Sequence, residues 1–238
     1  MLDMRSEENK MQGVVKITAI VPMKAHSQRV PSKNIRFFSG KPLFYWIINE
    51  LKNARHVEEI YVDTDSDDLA EAVNGYFGDV KIIIRPMSLR GDLVSMNKIL
   101  EHDLSQILKS EFFIQTHTTN PLLTSTTIDM AIETYFSQIT CHDSLFSVSR
   151  IQTRCYSCDG AGINHNPDEL IPTQELRPVY VENSNIYIFS KDSYNLEKKR
   201  IGKKPYLFEM SQYEALDIDE EEDFVNAEIL HKARQTKR

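Results

Sequence analysis

The feature that most constrains this chain is a rhythm. Short β-branched apolar runs alternate with amphipathic stretches, and few residues separate them. Residues 17–21 form one such run, closed by Pro22; 59–64 (EIYVDT), 80–84, 112–115 and 145–148 repeat it. Runs of this length that are apolar on both sides are strands buried on both faces. Between them, residues 43–54 place Leu43, Trp46, Ile47, Leu51 and Ala54 at helical spacing, with Pro42 expected at the first turn. Residues 67–73, 94–108 and 124–136 read the same way, with Ile99, Leu100, Leu104, Ile107 and Leu108 on one side of the second. Asp65 or Ser66, and Thr124 or Ser125, are the expected N-caps. Strand and helix in strict alternation predict α/β architecture: a three-layer, Rossmann-like, mostly parallel sheet covered by helices on both faces.

The rhythm breaks over residues 151–181, where Asp159-Gly160, Asn166-Pro167, Ile171-Pro172 and Arg177-Pro178 are turn signals without an apolar period between them. It resumes with strands at 185–189 and 206–210 and a closing helix from about residue 220. The expectation is a flexible leader at 1–14 and a single domain over 15–238 carrying a functional or interface insertion at 151–181. The 28 Lys and Arg against 35 Asp and Glu leave a net charge of −7, which lacks the basic field of non-specific nucleic-acid binding. No apolar stretch is long enough to span a membrane, and the first residues match neither a secretory signal nor a transit peptide. Three cysteines do not make a disulfide framework, so a cytoplasmic location is expected. Cys155 and Cys158 have redox or zinc spacing, but the ligand set is incomplete and no helix opens there.

Ligands of open α/β sheets sit beyond the carboxyl ends of the parallel strands. After the first strand come Lys24, His26, Ser27, Arg29, Lys33 and Asn34; Lys24, Arg29 and Lys33 suit a loop folded around several phosphates. The loop has no glycine and is neither a Walker A loop nor a GxGxxG turn. After the later strands come Asp63 and Asp65, then Arg85, Gly91-Asp92 and Ser95, then His117 to Asn120. Near the carboxyl terminus, Asp217 and Asp219 flank Ile218; on extended backbone both carboxylates face one side, as a hard cation such as Mg²⁺ requires. Helix capping by an Asp219-x-x-Glu222 box competes for Asp219 and leaves Asp217 unexplained.

These residues resemble a known family. VPMKAHSQRVPSKNI looks like the phrase that opens the sugar-activating cytidylyltransferases, the acylneuraminate (sialic acid) enzymes and their Kdo and other nonulosonate relatives. GKPLFYWII, YVDTDSDDLAEAV, IIRPMSLRGD, TTNPLLTSTTIDMAIE, DSLFSV, VYVENSNIYIF, RIGKKP and ALDIDEEEDF follow in family order over about residues 17–232. The resemblance implies transfer of CMP from CTP to the anomeric hydroxyl of a 2-keto-3-deoxy sugar acid, with Mg²⁺ as cofactor, and a homodimer formed through 151–181. It implies that Lys24, Arg29 and Lys33 stabilise the leaving pyrophosphate, and that Lys24, Ser27, Lys33, Asn34, Arg85 and Ser95 hold the nucleotide. Asp217 and Asp219 would hold the metal; His117, Asn120, Tyr180, Asn183 and Tyr187 would face the sugar, with His117 a positional candidate for general base against the competing role of a satisfied structural histidine. His117 stands where the family usually has Gln, and Thr173 where a basic residue often sits, so the sugar is left open. A GT-A-like glycosyltransferase and a non-catalytic nucleotide-binding module are the competing readings.

Overall fold

The computed structural model describes residues 15–236, so the leader expected at 1–14 lies outside the described residues. Seven strands make one mixed sheet: β1 (Ile17–Met23), β4 (Val57–Thr64), β5 (Lys81–Ile84), β6 (Phe112–Gln115), β7 (Ser144–Ile151), β8 (Val179–Ser190) and β9 (Pro205–Glu209). Their order across the sheet is β5-β4-β1-β6-β8-β7-β9. A two-residue pair, β2 (Phe37–Phe38) with β3 (Lys41–Pro42), stands apart. The helices are α1 (Leu43–Asn53), α2 (Asp67–Tyr76), α3 (Met96–Gln106), α4 (Ser125–Gln138), α5 (Lys191–Glu197) and α6 (Glu221–Gln235).

β1 pairs in parallel with both β4 and β6, so the chain leaves β1 to one side and later returns to its other side. That reversal opens a crevice at the carboxyl end of β1. β8 alone runs antiparallel to its neighbours β6 and β7, whereas β9 is again parallel to β7. The exception has a simple cause: parallel neighbours need a crossover, usually helical, and the chain between β7 and β8 has no α-helix. The excursion itself spans 152–178, because both flanking strands extend into the range expected to be irregular. It contains one 3-10 turn, at Thr173–Glu175, and an isolated bridge between Tyr156 and Gly162.

Three apolar clusters assemble the layers. On one face α1, α2 and α4 bury Phe44, Ile47, Leu69, Val73, Ile128 and Ile132 against the sheet. On the other face α3 and α5 bring Leu100, Leu104 and Tyr194 onto Ile20, Phe113 and Phe189. The third cluster joins Val30, Phe38 and Leu43 to Ile218 and to Phe224 and Ala227 of α6. It ties the loop after β1 to the segment before the last helix, 185 or more residues later.

Local chemistry sets the ends. Ser66, not Asp65, caps α2 by accepting from Leu69 N, while Asp65 accepts from Ala25 N and pins the first loop (2.8 Å). Thr124 caps α4 through Thr127 N. Pro42 lies one place before its expected position, as N-cap of α1 and end of β3. The turn between β2 and β3 places Ser39 and Gly40 at φ 49° and 86°, the left-handed region that glycine enters freely. The capping box of α6 is formed by Glu220 and Asp223, one residue past the expected Asp219 and Glu222. Asp219 takes part only through its backbone N–H, which Asp223 accepts (3.0 Å). Its carboxylate is left for other work.

Candidate active site

A cavity of about 470 Å³ opens at the crevice beyond β1. Its wall comes from three strand ends: Pro22 and Met23 at the end of β1, Arg85 after β5, and His117, Thr118 and Thr119 after β6. Lys24, Ser27, Arg29, Lys33 and Asn34 enter from the first loop, Asp92 from the loop before α3, and Asp219 from the segment before α6.

The convergence of cations and acids follows from the third apolar cluster. Val30 sits between Arg29 and Lys33 in sequence and Ile218 between Asp217 and Asp219, and both apolar side chains are fully buried in that cluster. Burying them turns the charged neighbours toward one another. Lys33 Nζ donates to Ile218 O at 2.5 Å. Arg29 Nη2 lies 2.6 Å from Asp219 Oδ1, and its Nη1 3.2 Å from Glu220 Oε1. Ile218 N in turn donates to Thr119 O at 2.9 Å, which fixes the acidic segment to the end of β6.

The two acids differ. Asp217 is half-buried, and burial raises its pKa, with the neighbouring Asp219 adding to the shift and the Thr119 hydroxyl and Lys33 opposing it. Its Oδ1 is buried and has no hydrogen-bond partner. Asp219 has a half-exposed carboxylate and carries the pair with Arg29. Lys33 is pushed below the usual lysine range by burial, against the pull of Asp217 and Asp219. An orphaned buried carboxylate oxygen beside a second carboxylate is a hard oxygen donor set, which fits Mg²⁺.

Lys24 pairs with Asp92, and Gln28 Nε2 donates to the other oxygen of the same carboxylate at 2.7 Å. Asp92 thus takes up donors that face the cavity, and the Lys24 pair is exposed enough to exchange at small cost. Asn34 is buried; its amide donates to Lys24 O at 2.8 Å, and its Oδ1 accepts from the Thr118 hydroxyl. It braces the loop as well as lining the cavity. Ser95 stands exposed at the N-cap of α3, between the lining residues Val94 and Met96. Arg85 is only 4% exposed and donates twice to Asp63 Oδ1, so its guanidinium is held rigidly in the cavity wall.

The residues expected to face the sugar separate into four places. His117 and Tyr187 lie in one cluster, with ring centroids 6.5 Å apart. Asn183 bonds to the Ser147 and Ser149 hydroxyls at 2.6 and 3.2 Å, in the irregular part of β8 where Ser184 has φ 57°. Asn120 is fully buried and its Nδ2 reaches Leu216 O at 3.5 Å, so it supports the acidic segment instead of facing the cavity. Tyr180 lines a different groove, with His142 and Tyr206 to Glu209.

The His117–Tyr187 cluster contains a cation absent from the sequence-based residue set. Arg200 stacks 3.5 Å over the Tyr187 ring, donates to Gln115 Oε1, and approaches Glu182 Oε1 at 3.8 Å. Because the Gln115 oxygen faces Arg200, its Nε2 faces His117 Nε2 and donates to it at 2.9 Å. That ring nitrogen is then an acceptor and the proton sits on Nδ1. Desolvation, with Arg200 and Lys33 nearby, pushes His117 down to about 3. His117 is therefore a neutral ring whose acceptor lone pair is already used, which disfavours the general-base role. Arg200 follows a short helix and no strand, so the rule of strand carboxyl ends does not find it.

Comparison with known proteins places this site in context. The family model described as cytidylyltransferase matches residues 18–237. The chain belongs to the cytidylyltransferase family. It is 28% identical over 224 residues to an N-acylneuraminate cytidylyltransferase of Streptococcus agalactiae, a match covering 89% of this chain and 52% of that protein. The chain thus spans about half the length of that relative. It is 29% identical over 238 residues to the CMP-N,N'-diacetyllegionaminic acid synthase of Legionella pneumophila, covering 93% of this chain and 98% of the other. Among solved structures, a CMP:2-keto-3-deoxy-manno-octonic acid synthetase complexed with CTP superposes with TM-score 0.68 at 13% identity. That match covers 92% of this chain and 99% of the other, and it shows the fold: a cytidylyltransferase-type three-layer α/β architecture.

Proposed function

We propose that this cytidylyltransferase-family chain transfers CMP from CTP to the anomeric hydroxyl of a nonulosonic, sialic-acid-like or related 2-keto-3-deoxy sugar acid, releasing pyrophosphate. The observation that carries the reading is the meeting of Lys24, Arg29, Lys33 and Asp219 around one cavity, with Asp217 beside Lys33 next to it. The named relatives support it: the streptococcal protein is a cytidylyltransferase and the Legionella protein a CMP-sugar synthase.

In this reading the sugar hydroxyl loses its proton to solvent, its oxygen bonds to the α-phosphorus as the α–β phosphoanhydride breaks, and pyrophosphate leaves. Catalysis of such a transfer is mainly positioning and charge neutralisation. Lys24 and Arg29, now paired with exposed carboxylates, turn to the phosphates; Lys33 stays bolted to Ile218 O and supplies a partly desolvated charge. Ser27, Asn34, Arg85 and Ser95 frame the nucleotide, with Arg85 the fixed element. Asp217 and Asp219 would hold Mg²⁺, which would supply Lewis-acid activation of the phosphate. On the sugar side Arg200 is the partly buried cation suited to the acid's carboxylate, with Tyr187 and neutral His117 beside it.

The excursion 152–178 exposes Tyr156, Ile163 and Leu170, apolar surface consistent with a homodimer contact there. The three cysteines are unpaired, as in a reducing cytoplasm, and among the described residues no helix is long and apolar enough to cross a membrane.

The test is pyrophosphate release from CTP and Mg²⁺ with a panel of nonulosonic and 2-keto-3-deoxy acids and their C1 methyl esters. At least one free acid is expected to release pyrophosphate and form a CMP-sugar, and its ester to react poorly. CTP binding without release for any acid would favour the binding module. Consumption of a nucleotide sugar instead of CTP would favour the glycosyltransferase.

A further inference from the structure

Behind the cavity wall lies a buried group that the transfer reaction does not use. Asp63, at the carboxyl end of β4, and Asp103, on the inner face of α3, are both 0% exposed. A single guanidinium, Arg85, serves them: Nε donates to Asp63 Oδ1 at 2.7 Å, Nη2 donates to the same oxygen, and Nη2 also reaches Met23 O at 3.4 Å. The other oxygens, Asp63 Oδ2 and Asp103 Oδ2, are buried and without any donor. The two carboxyl groups nevertheless stand close together, one oxygen of each within 4.8 Å of the other. Two buried carboxylates this close, each with an oxygen that no donor satisfies, lack one thing, a proton between them.

We infer that Asp103 is a positioning residue: a neutral carboxylic acid whose proton is shared with Asp63, completing a buried Asp103–Asp63–Arg85 chain that fixes Arg85 in the wall of the nucleotide cavity. The charge count requires it. One buried cation balances one carboxylate, and a second bare anion there would be uncompensated. Asp63 is the ionised partner because it holds both Arg85 bonds, and Asp103 is the acid.

The surroundings agree from every packed element. His102, on the same helix, brings Nδ1 only to 3.5 Å from Asp103 Oδ1 and is itself partly exposed. Tyr194 of α5 faces the group with its hydroxyl already donated to Asn97 O. Burial and the nearby Asp63 carboxylate push Asp103 up to about 9, with Arg85 opposing. The proton is therefore held at neutral pH and lost in the alkaline range, where a second negative charge would pull on Arg85. The carboxyl oxygens of Asp63 and Asp103 and a ring nitrogen of His102 lie within 4.8 Å of one another, so a divalent cation is the competing occupant, and the test must separate the two.

The inference rests on the proposed reading only in that Arg85 faces a nucleotide; the proton itself is observable without activity. Infrared difference spectra of the full chain, wild type minus Asp103→Asn at neutral pH, are expected to show the carbonyl band of one protonated carboxylic acid. Asp103→Asn, which keeps a donor toward Asp63, should bind CTP within about twofold of wild type at pH 7, whereas Asp103→Leu should lose about tenfold, or 1.4 kcal/mol. Above pH 9 wild type should lose more CTP affinity than Asp103→Asn does. Absence of the band, weakening by Asn as severe as by Leu, failure of the Asn variant to fold, or Mn²⁺ binding that Asp103→Asn removes and Asp217→Asn does not would each overturn the inference. If CTP does not bind wild type at all, the functional reading fails while the infrared band still decides the proton.

Discussion

Asp217→Ala is expected to lower CMP transfer by about 10²–10³-fold, the scale of losing one preorganised charge-stabilising group, while the chain stays folded. The two halves of that expectation have one origin. Asp217 is half-buried with an orphaned oxygen, an arrangement that costs stability and fits a group kept for a ligand. Its folded-state pKa is raised, so the native state holds this proton more tightly than the unfolded chain does. The associated stability is present at acid pH and is lost as pH rises through the raised pKa. At neutral pH, removing the carboxylate should therefore leave the melting temperature unchanged or higher. Steady-state kinetics and thermal unfolding of the same preparation check both halves. Turnover within a few fold of wild type would remove the metal assignment; a large drop in melting temperature would make Asp217 a structural residue.

Lys33→Met is expected to cost a similar factor, about 10²–10³-fold in kcat/KM, and to weaken CTP as well. Lys33 both bolts the first loop to Ile218 O and places a cation beside Asp217 and Asp219. Arginine should not rescue it: a wide planar fork cannot replace a compact ammonium at a 2.5 Å contact with a backbone carbonyl. Burial lowers the Lys33 pKa, so its charge is present at low pH and lost as pH rises through a value below the ordinary lysine range. Wild-type kcat/KM should show that alkaline fall, and the Met variant should lack it. Equal CTP affinity and equal turnover in wild type and Lys33→Met would show that the cationic loop is not part of the reacting site.

Much of this site is legible in the sequence because its parts are local. The apolar run of β1, the polar loop after it and the i, i+2 pairing of Asp217 with Asp219 each announce themselves over a few residues. Their meeting is less local. It depends on Val30 and Ile218 sharing one apolar cluster, and single buried hydrophobes do not reveal their partners. The antiparallel β8 was hidden for the same reason, since strand direction depends on what the 152–178 excursion does. Helix α5, seven residues capped by Ser190, is too short to set up a periodic signal. Arg200 and Asp103 were invisible as functional groups: one lies in a loop with no strand before it, the other reads as a polar interruption on an amphipathic helix. The strand-end rule placed Asn120 at the site and the family resemblance placed Tyr180 there; the fold turns the first inward and the second to another groove.

The central claim is that the loop after β1 and the acidic segment before α6 form one site around CTP. A crystal of the protein grown with CTP and Mn²⁺ tests it most directly, through the anomalous signal of the metal. The account predicts a single strong peak bonded to the carboxylates of Asp217 and Asp219, with the triphosphate lying against Lys24, Arg29 and Lys33. A nucleotide bound elsewhere, or metal held away from Asp217, would contradict it.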